Sequence, residues 1–134
     1  MKLIQIVNML ESLTVMANLP LSAKDSFYLN DLLITFEDKF NSYNKSKNNS
    51  LMQYATSGDG VNYTFNNDDD KKAFINELIE LDNKDIEITL NDNKIKVGLS
   101  KLNKLVEKLG EVEARHLYNV KDIIEFYDDT ETEN

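Results

Sequence analysis

The sequence predicts an α+β domain that is mainly α: a helical hairpin with a long second helix, a third helix, a small antiparallel β-hairpin and short C-terminal helices. Three observations carry that expectation. Between Ala23 and Tyr54 the apolar residues Leu33, Phe36, Phe40 and Tyr43 recur at three-four-three spacing, one stripe of a helix longer than any other the chain offers. Before it, Leu3, Ile6, Val7, Leu10, Leu13 and Ala17 share a helical face, flanked by Met9 and Met16. Between residues 85 and 99 the period changes to two. Ile86, Ile88 and Leu90 alternate with Glu87 and Thr89, and Ile95, Val97 and Leu99 alternate with Lys96 and Gly98, across the turn-forming Asn91-Asp92-Asn93.

Taken in order, the first helix runs from about Lys2 to Asn18 and ends before Pro20, which has no amide hydrogen to donate. Ser22 stands as the N-cap of the long helix, with Asp25 in its first turn at the positive end of the dipole. Phe27, Leu29 and Leu32 widen the stripe at the front, and Leu51 and Tyr54 resume it at the back. Asn44 to Ser50 is polar, so the second half of the helix is expected to project or to rest on something outside this chain. Phe40 is placed in the core, where removing its ring empties a packed site.

Near Thr56 the helix gives way to Ser57-Gly58-Asp59-Gly60, a turn, and Val61, Tyr63 and Phe65 then alternate as a short strand or extended loop. Asn66 to Asp70 opens a third helix carrying Ala73, Phe74, Ile75, Leu78, Ile79 and Leu81, a width that implies burial on more than one neighbour. In the hairpin, Glu87 and Lys96 share the outer face within pairing reach, and the apolar face lies on the helices or beside the Tyr63 run. Ser100 caps a short helix through Leu102, Leu105, Val106 and Leu109, which Gly110 closes. Glu111 to Tyr127 forms a last helix, continuous or broken, with Val112, Leu117, Val120, Ile123, Ile124 and Phe126 apolar. Residues 1–127 make one domain, and 128–134 an acidic flexible tail.

Composition narrows the function. The 134 residues hold 15 Lys plus Arg against 24 Asp plus Glu, a net charge of -9 at pH 7, and this acidity disfavours direct nucleic-acid binding because phosphate is repelled. With no cysteine, neither a disulfide framework nor a thiolate nucleophile is available, which fits a reducing cytosol. Gln5, Asn8 and Glu11 interrupt the apolar run after Met1-Lys2, so the N-terminus reads as a mature helix rather than a secretory signal. No apolar stretch is long enough to cross a bilayer, so no membrane partner is expected.

Candidate chemistry is sparse. His116 is the sole histidine, expected at the surface of the last helix, and without cysteine a zinc site would have to recruit three carboxylates from separate elements. Asp68, Asp69 and Asp70 lack the every-second-residue spacing of a calcium loop and suit a helix N-terminus instead. Asp59, Asn91, Asp92 and Asn93 serve turns. Glu77 with Glu80, and Glu111 with Glu113, would serve acid-base chemistry only in a cleft that shifts their proton affinity. No catalytic, cofactor-binding or metal residue is therefore assigned, and the chain reads as a non-enzyme. Tyr43 and Tyr54 bracket the polar stretch of the long helix and are the first choice for a contact surface. Lys47 and Leu51 lie between them, and Asp68, Asp69, Asp70, Glu77 and Glu80 supply acidic contacts.

The opening MKLIQIVNMLESL, the LPLSAKDSFYLNDLL lead into the long helix and the run from LMQYATSGDG through FINELIELDNKDIEI resemble a diffuse family of small tailed-bacteriophage proteins. In that pattern an N-terminal helix leads to a long charged helix, a tyrosine before an acidic glycine turn, a Phe-x-x-Glu-Leu helix and a β segment. Tyr54, Gly58, Phe74, Glu77, Leu78 and Leu81 occupy the matching positions. The ending, a hairpin and a short helix reaching IIEF, is similar too, while LNKLVEKLGEVEARHLYNV departs from the family's shorter ending. The resemblance implies a phage accessory or assembly protein in the cytoplasm of the bacterial host or associated with the virion. Such a protein would dock through its long helix on another phage protein or a host protein, or self-associate into a homo-oligomer through its stripe. The alternative is an acidic inhibitor that mimics nucleic acid in the basic groove of a host defence or nucleic-acid-processing protein, which requires one contiguous carboxylate face.

Overall fold

A computed structural model describes residues 1–58 and 63–129. Along these run α1 (Leu3–Met16), α2 (Ala23–Tyr54), β1 (Ala55–Gly58), β2 (Tyr63–Phe65), α3 (Asp68–Asp82), β3 (Ile95–Gly98), α4 (Leu99–Leu109), α5 (Ala114–Asn119) and β4 (Ile124–Tyr127). The mainly helical α+β class holds. Its caps follow the sequence: Ser22 Oγ accepts from the Asp25 amide, Asn67 Oδ1 accepts from the Asp70 amide, and Gly110 closes α4 at φ 87°, a conformation that favours glycine.

The main core is built where α1 and the front half of α2 form their antiparallel hairpin. Ile6, Met9, Leu13 and Met16 of α1 meet Leu29, Leu32 and Phe36 of α2, and Ile95, Val97, Leu102, Leu105, Val120, Ile123 and Ile124 close over them. Met9 and Met16, expected as flanks, are core residues, while Ala17 is exposed; the buried stripe of α1 is rotated by about one position. Phe40 is only half-buried, so the aromatic plug of the stripe is Phe36, which is fully enclosed.

The expected hairpin over residues 86–99 does not form. Ile86, Ile88 and Leu90 are half-buried against the core in extended chain, and the hydrogen bonds of this region go to the N-terminus. The Leu3 amide donates to the Lys84 carbonyl and the Ile86 amide to the Met1 carbonyl, around an isolated Lys2–Asp85 bridge. Period-two alternation records extended backbone with one face covered, but not which strand pairs with it. Asn91 does not turn the chain into a hairpin; its amide donates to the Tyr28 hydroxyl at the front of α2. Glu87 and Lys96 therefore do not pair across strands.

Ile95–Gly98 instead runs parallel to Ile124–Tyr127, with Ile95 opposite Ile124 and Val97 opposite Phe126. Parallel strands need a crossover, and α4 and α5 supply it. The last helix is accordingly short: after Asn119 the chain turns through Val120 and Ile123, both buried, and extends as β4, where β-branched Ile124 suits a pleated surface. The antiparallel pair lies elsewhere, between β1 and β2, with Ala55 opposite Phe65 and Gly58 opposite Tyr63. Asp59, Gly60, Val61 and Asn62 of the expected turn and run lie outside the described residues, as does the tail from Thr130.

Asp128 and Asp129 fall within the region expected to be a flexible tail, yet Asp129 is fixed. Its carboxylate accepts from the Ser100 amide at 3.0 Å and from the Ser100 hydroxyl, so Asp129 caps α4 in place of the expected Ser100. These bonds favour the ionised form and hold the Asp129 carboxyl below its ordinary value. The sign follows: the unfolded carboxyl titrates near about 4, so its contribution is complete above that value and is lost as pH falls through the lower folded value. Replacing Asp129 with alanine is expected to lower the melting temperature at pH 7 and to shrink the difference from the parent protein below about pH 4, read by thermal melts across an acid series.

Candidate functional site

The back half of α2 does not project alone. α3 lies antiparallel along it, and a second, smaller packing patch joins them. Tyr43 and Leu51 of α2 are buried there, as is Phe74 of α3, whose ring sits 5.8 Å from that of Phe65 on β2. None of these four belongs to the main core. Patching by so few side chains leaves the seam incompletely filled. Ile75 and Ile79 of α3, expected to be buried on a further neighbour, are exposed.

The unfilled part is a cleft with helical walls. One portion is lined by Ser46, Lys47 and Ser50 of α2 and by Phe74, Glu77, Leu78, Glu80 and Leu81 of α3. A second hollow adjoins the first at Ser46 and Leu81 and is lined also by Lys39, Ser42, Tyr43, Lys84, Leu3 and Ile86. From Lys39 to Ser50 the cleft spans about 16 Å of α2, at 1.5 Å per residue. Ser42, Ser46 and Ser50 recur every four residues, so α2 offers small side chains where larger ones would fill the seam.

Hydrogen bonds tie α2 to α3 along the cleft. The Tyr43 hydroxyl donates to Asp82 Oδ1 at 2.8 Å; the Ser50 and Tyr54 hydroxyls both donate to the Glu77 carboxylate, Tyr54 at 3.3 Å. Burial pushes the Tyr43 phenol up to about 12, with the Asp82 carboxylate adding to the shift. Tyr54 is raised as well, by desolvation first and by the neighbouring Glu77 charge second, with Asp70 adding to it. The sign for Tyr43 is that of a raised group: its contribution is intact below about pH 10 and is lost as pH rises through about 12. Stability measured by denaturant between those values is expected to fall more steeply for the parent than for Tyr43→Phe.

The nine residues singled out in the sequence separate into three groups. Lys47, Tyr54, Glu77 and Glu80 come together at the cleft. Tyr43 and Leu51 are committed to the interior and offer little surface to a partner, a correction that arises because α3 covers the half of α2 expected to project. Asp68, Asp69 and Asp70 occupy the first turn of α3, where the helix dipole favours negative charge, and do not line the cleft. Lys39, Lys84 and the serine row were missed. The serine spacing was legible; the approach of Lys84 depends on the pairing of residues 84–86 with the N-terminus and was not.

A second polar cluster fastens α5 to α1. His116, expected at the surface, is buried, and its Nδ1 lies 2.8 Å from Oγ of the fully buried Ser12. Asn119 Nδ2 donates to the same Oγ at 3.0 Å, so one hydroxyl of α1 is hydrogen-bonded to two side chains of α5. At the rim, Arg115 pairs with Glu11 and with Glu113. The guanidinium lowers the Glu11 carboxyl and is itself raised by its two acidic partners. Ser12 and His116 thus make a satisfied internal fastening, with the hydroxyl enclosed.

Among the described residues there is no group of three or more metal-ligating side chains, and no helix is long and apolar enough to cross a membrane. Comparison with protein-family models, with curated proteins and with solved structures finds no match. The fold and the cleft together define a class: a mainly helical α+β domain with an open interhelical seam.

Proposed function

We propose that this chain is a non-enzymatic docking protein, the accessory or assembly protein of a tailed bacteriophage that its sequence resembles. It acts in the cytoplasm of the bacterial host, or on the virion, by receiving a segment of another phage protein or of a host protein. The observation that supports docking is the α2–α3 cleft, with apolar Phe74, Leu78 and Leu81 beside Lys47, Glu77 and Glu80 in one concave seam. It gathers a larger share of the sequence's contact candidates than any other surface described above.

Docking is favoured over nucleic-acid mimicry by the distribution of charge. Mimicry needs an unbroken carboxylate face, whereas Lys71 and Lys72 follow the acidic first turn of α3, and Lys39, Lys47 and Lys84 line the same cleft as Glu77 and Glu80.

The test is a pull-down from infected cells with tagged parent protein and with Ser46→Trp, whose indole fills the cleft from an exposed helical position. Retention of one identified phage or host protein by the parent, through a salt series, and its loss from the variant is the expected result. Equal capture by a variant with an unchanged circular dichroism melt would contradict docking through this cleft. Capture of a nucleic-acid enzyme by both proteins, lost steeply with salt, would favour mimicry.

A further inference from the structure

Resting on the docking reading, we infer that the cleft takes an amphipathic α-helix of a partner protein in one orientation, with its N-terminal end at Glu77 and Glu80 and its C-terminal end at Lys39 and Lys84. α2 and α3 spend their backbone groups on their own hydrogen bonds, and where Lys84 and Ile86 close one end the Lys84 carbonyl and the Ile86 amide and carbonyl are already taken by the N-terminus, so those positions offer no edge to complete an extended strand. An extended peptide would leave its amides and carbonyls without partners there; a helix satisfies its own. A cleft of about 16 Å matches roughly three helical turns.

Orientation follows from charge. Lys39 and Lys84 both line one end of the cleft, with Leu3 and Ile86, and among the described residues neither forms an ion pair within 4.0 Å, while the Asp82 carboxylate on this stretch accepts from the Tyr43 hydroxyl. At the other end Glu77 is held in place by Ser50 and Tyr54, with Glu80 one turn along α3, and these two carboxylates outnumber the single cation there, Lys47. A helix carries partial positive charge at its N-terminus and negative charge at its C-terminus, so the two ends of the cleft complement the two ends of a single helix. The bound helix runs antiparallel to α2 and parallel to α3. Its side chains follow the same rule: basic residues in the first turn, apolar residues over Leu78 and Leu81, and acidic residues in the last turn.

The test is a selection of helical peptides, three to four turns long, from a displayed library randomised in charge at both ends, against the immobilised full chain at low ionic strength. A Lys39→Glu, Lys84→Glu variant is run in parallel; Lys84 is exposed and Lys39 half-buried, and a circular dichroism melt checks the fold. Enrichment of base-first, acid-last helices on the parent is expected, with about tenfold tighter binding than their charge-reversed counterparts and a reversed preference at the last turn on the variant. Binding that Ser46→Trp abolishes but that shows no charge order would overturn the orientation while leaving docking intact. Absence of any enriched helix would overturn the inference, and partner capture that is nevertheless sensitive to Ser46→Trp would keep the docking reading. Glu80→Lys, at an exposed position, provides the independent check at the other end: it is expected to remove the preference for a basic first turn.

Discussion

Phe36→Ala is expected to lower the unfolding free energy by about 3–5 kcal/mol, the range for emptying an enclosed aromatic site. Phe36 has no exposed surface and sits where α1, α2 and the β3–β4 segment meet, so the loss combines removed transfer energy with a cavity that rigid helices cannot close. Phe40, four residues on, is half-buried and outside the main cluster. Its alanine variant is expected to lose about 1–2 kcal/mol, since part of the ring already meets water. Paired denaturant titrations measure both. Equal losses at the two sites would mean that the long helix is rotated from the packing described.

Ser12→Ala is expected to cost about 2–3 kcal/mol, although it removes a single oxygen. Alanine keeps the helix of α1 and nearly the same volume, so the effect is electrostatic rather than steric. Without Oγ, His116 Nδ1 loses its hydrogen-bond partner and Asn119 Nδ2 its acceptor, in a site where His116 is buried. Removing the ring as well, as Ser12→Ala with His116→Leu, takes away the stranded group along with its partner. The double variant is therefore expected to lose less than the sum of its parts, with a coupling of about 1–2 kcal/mol in a double-mutant cycle. Additive losses would show that Ser12 and His116 contribute separately and that the fastening of α5 to α1 is not a unit.

What the sequence made legible was local. The helices α1 and α2, the Ser22 cap, the acidic first turn of α3 and the Gly110 stop are each decided within a few residues, and each appears where its chemistry places it, although the buried stripe of α1 is rotated by about one position and that of α2 centres on Phe36 rather than Phe40. Pairings over long separations were not legible. Ile95, Val97 and Gly98 alternate equally well for a hairpin with residues 86–90 and for a parallel pair with β4, and only the packed core chooses between them. Val120, Ile123 and Ile124 were read as apolar residues of a last helix because a short apolar run fits helix and strand alike. His116 was misplaced for the same reason: its burial depends on Ser12, 104 positions away. The cleft was half legible, since Lys47, Tyr54, Glu77 and Glu80 could be named but the cover that buries Tyr43 could not.

Docking in the α2–α3 cleft is tested most directly by site-specific photo-crosslinking in infected cells, with a photoreactive residue at position 46 inside the cleft and a control at position 27. Phe27 is exposed on the front of α2, away from α3, so both probes are solvent-accessible and differ in place. The account predicts one discrete adduct from position 46, mapped by mass spectrometry to a helical segment of a phage or host protein, and none from position 27. The same adduct from both positions, or an adduct from position 27 alone, would contradict docking in this cleft.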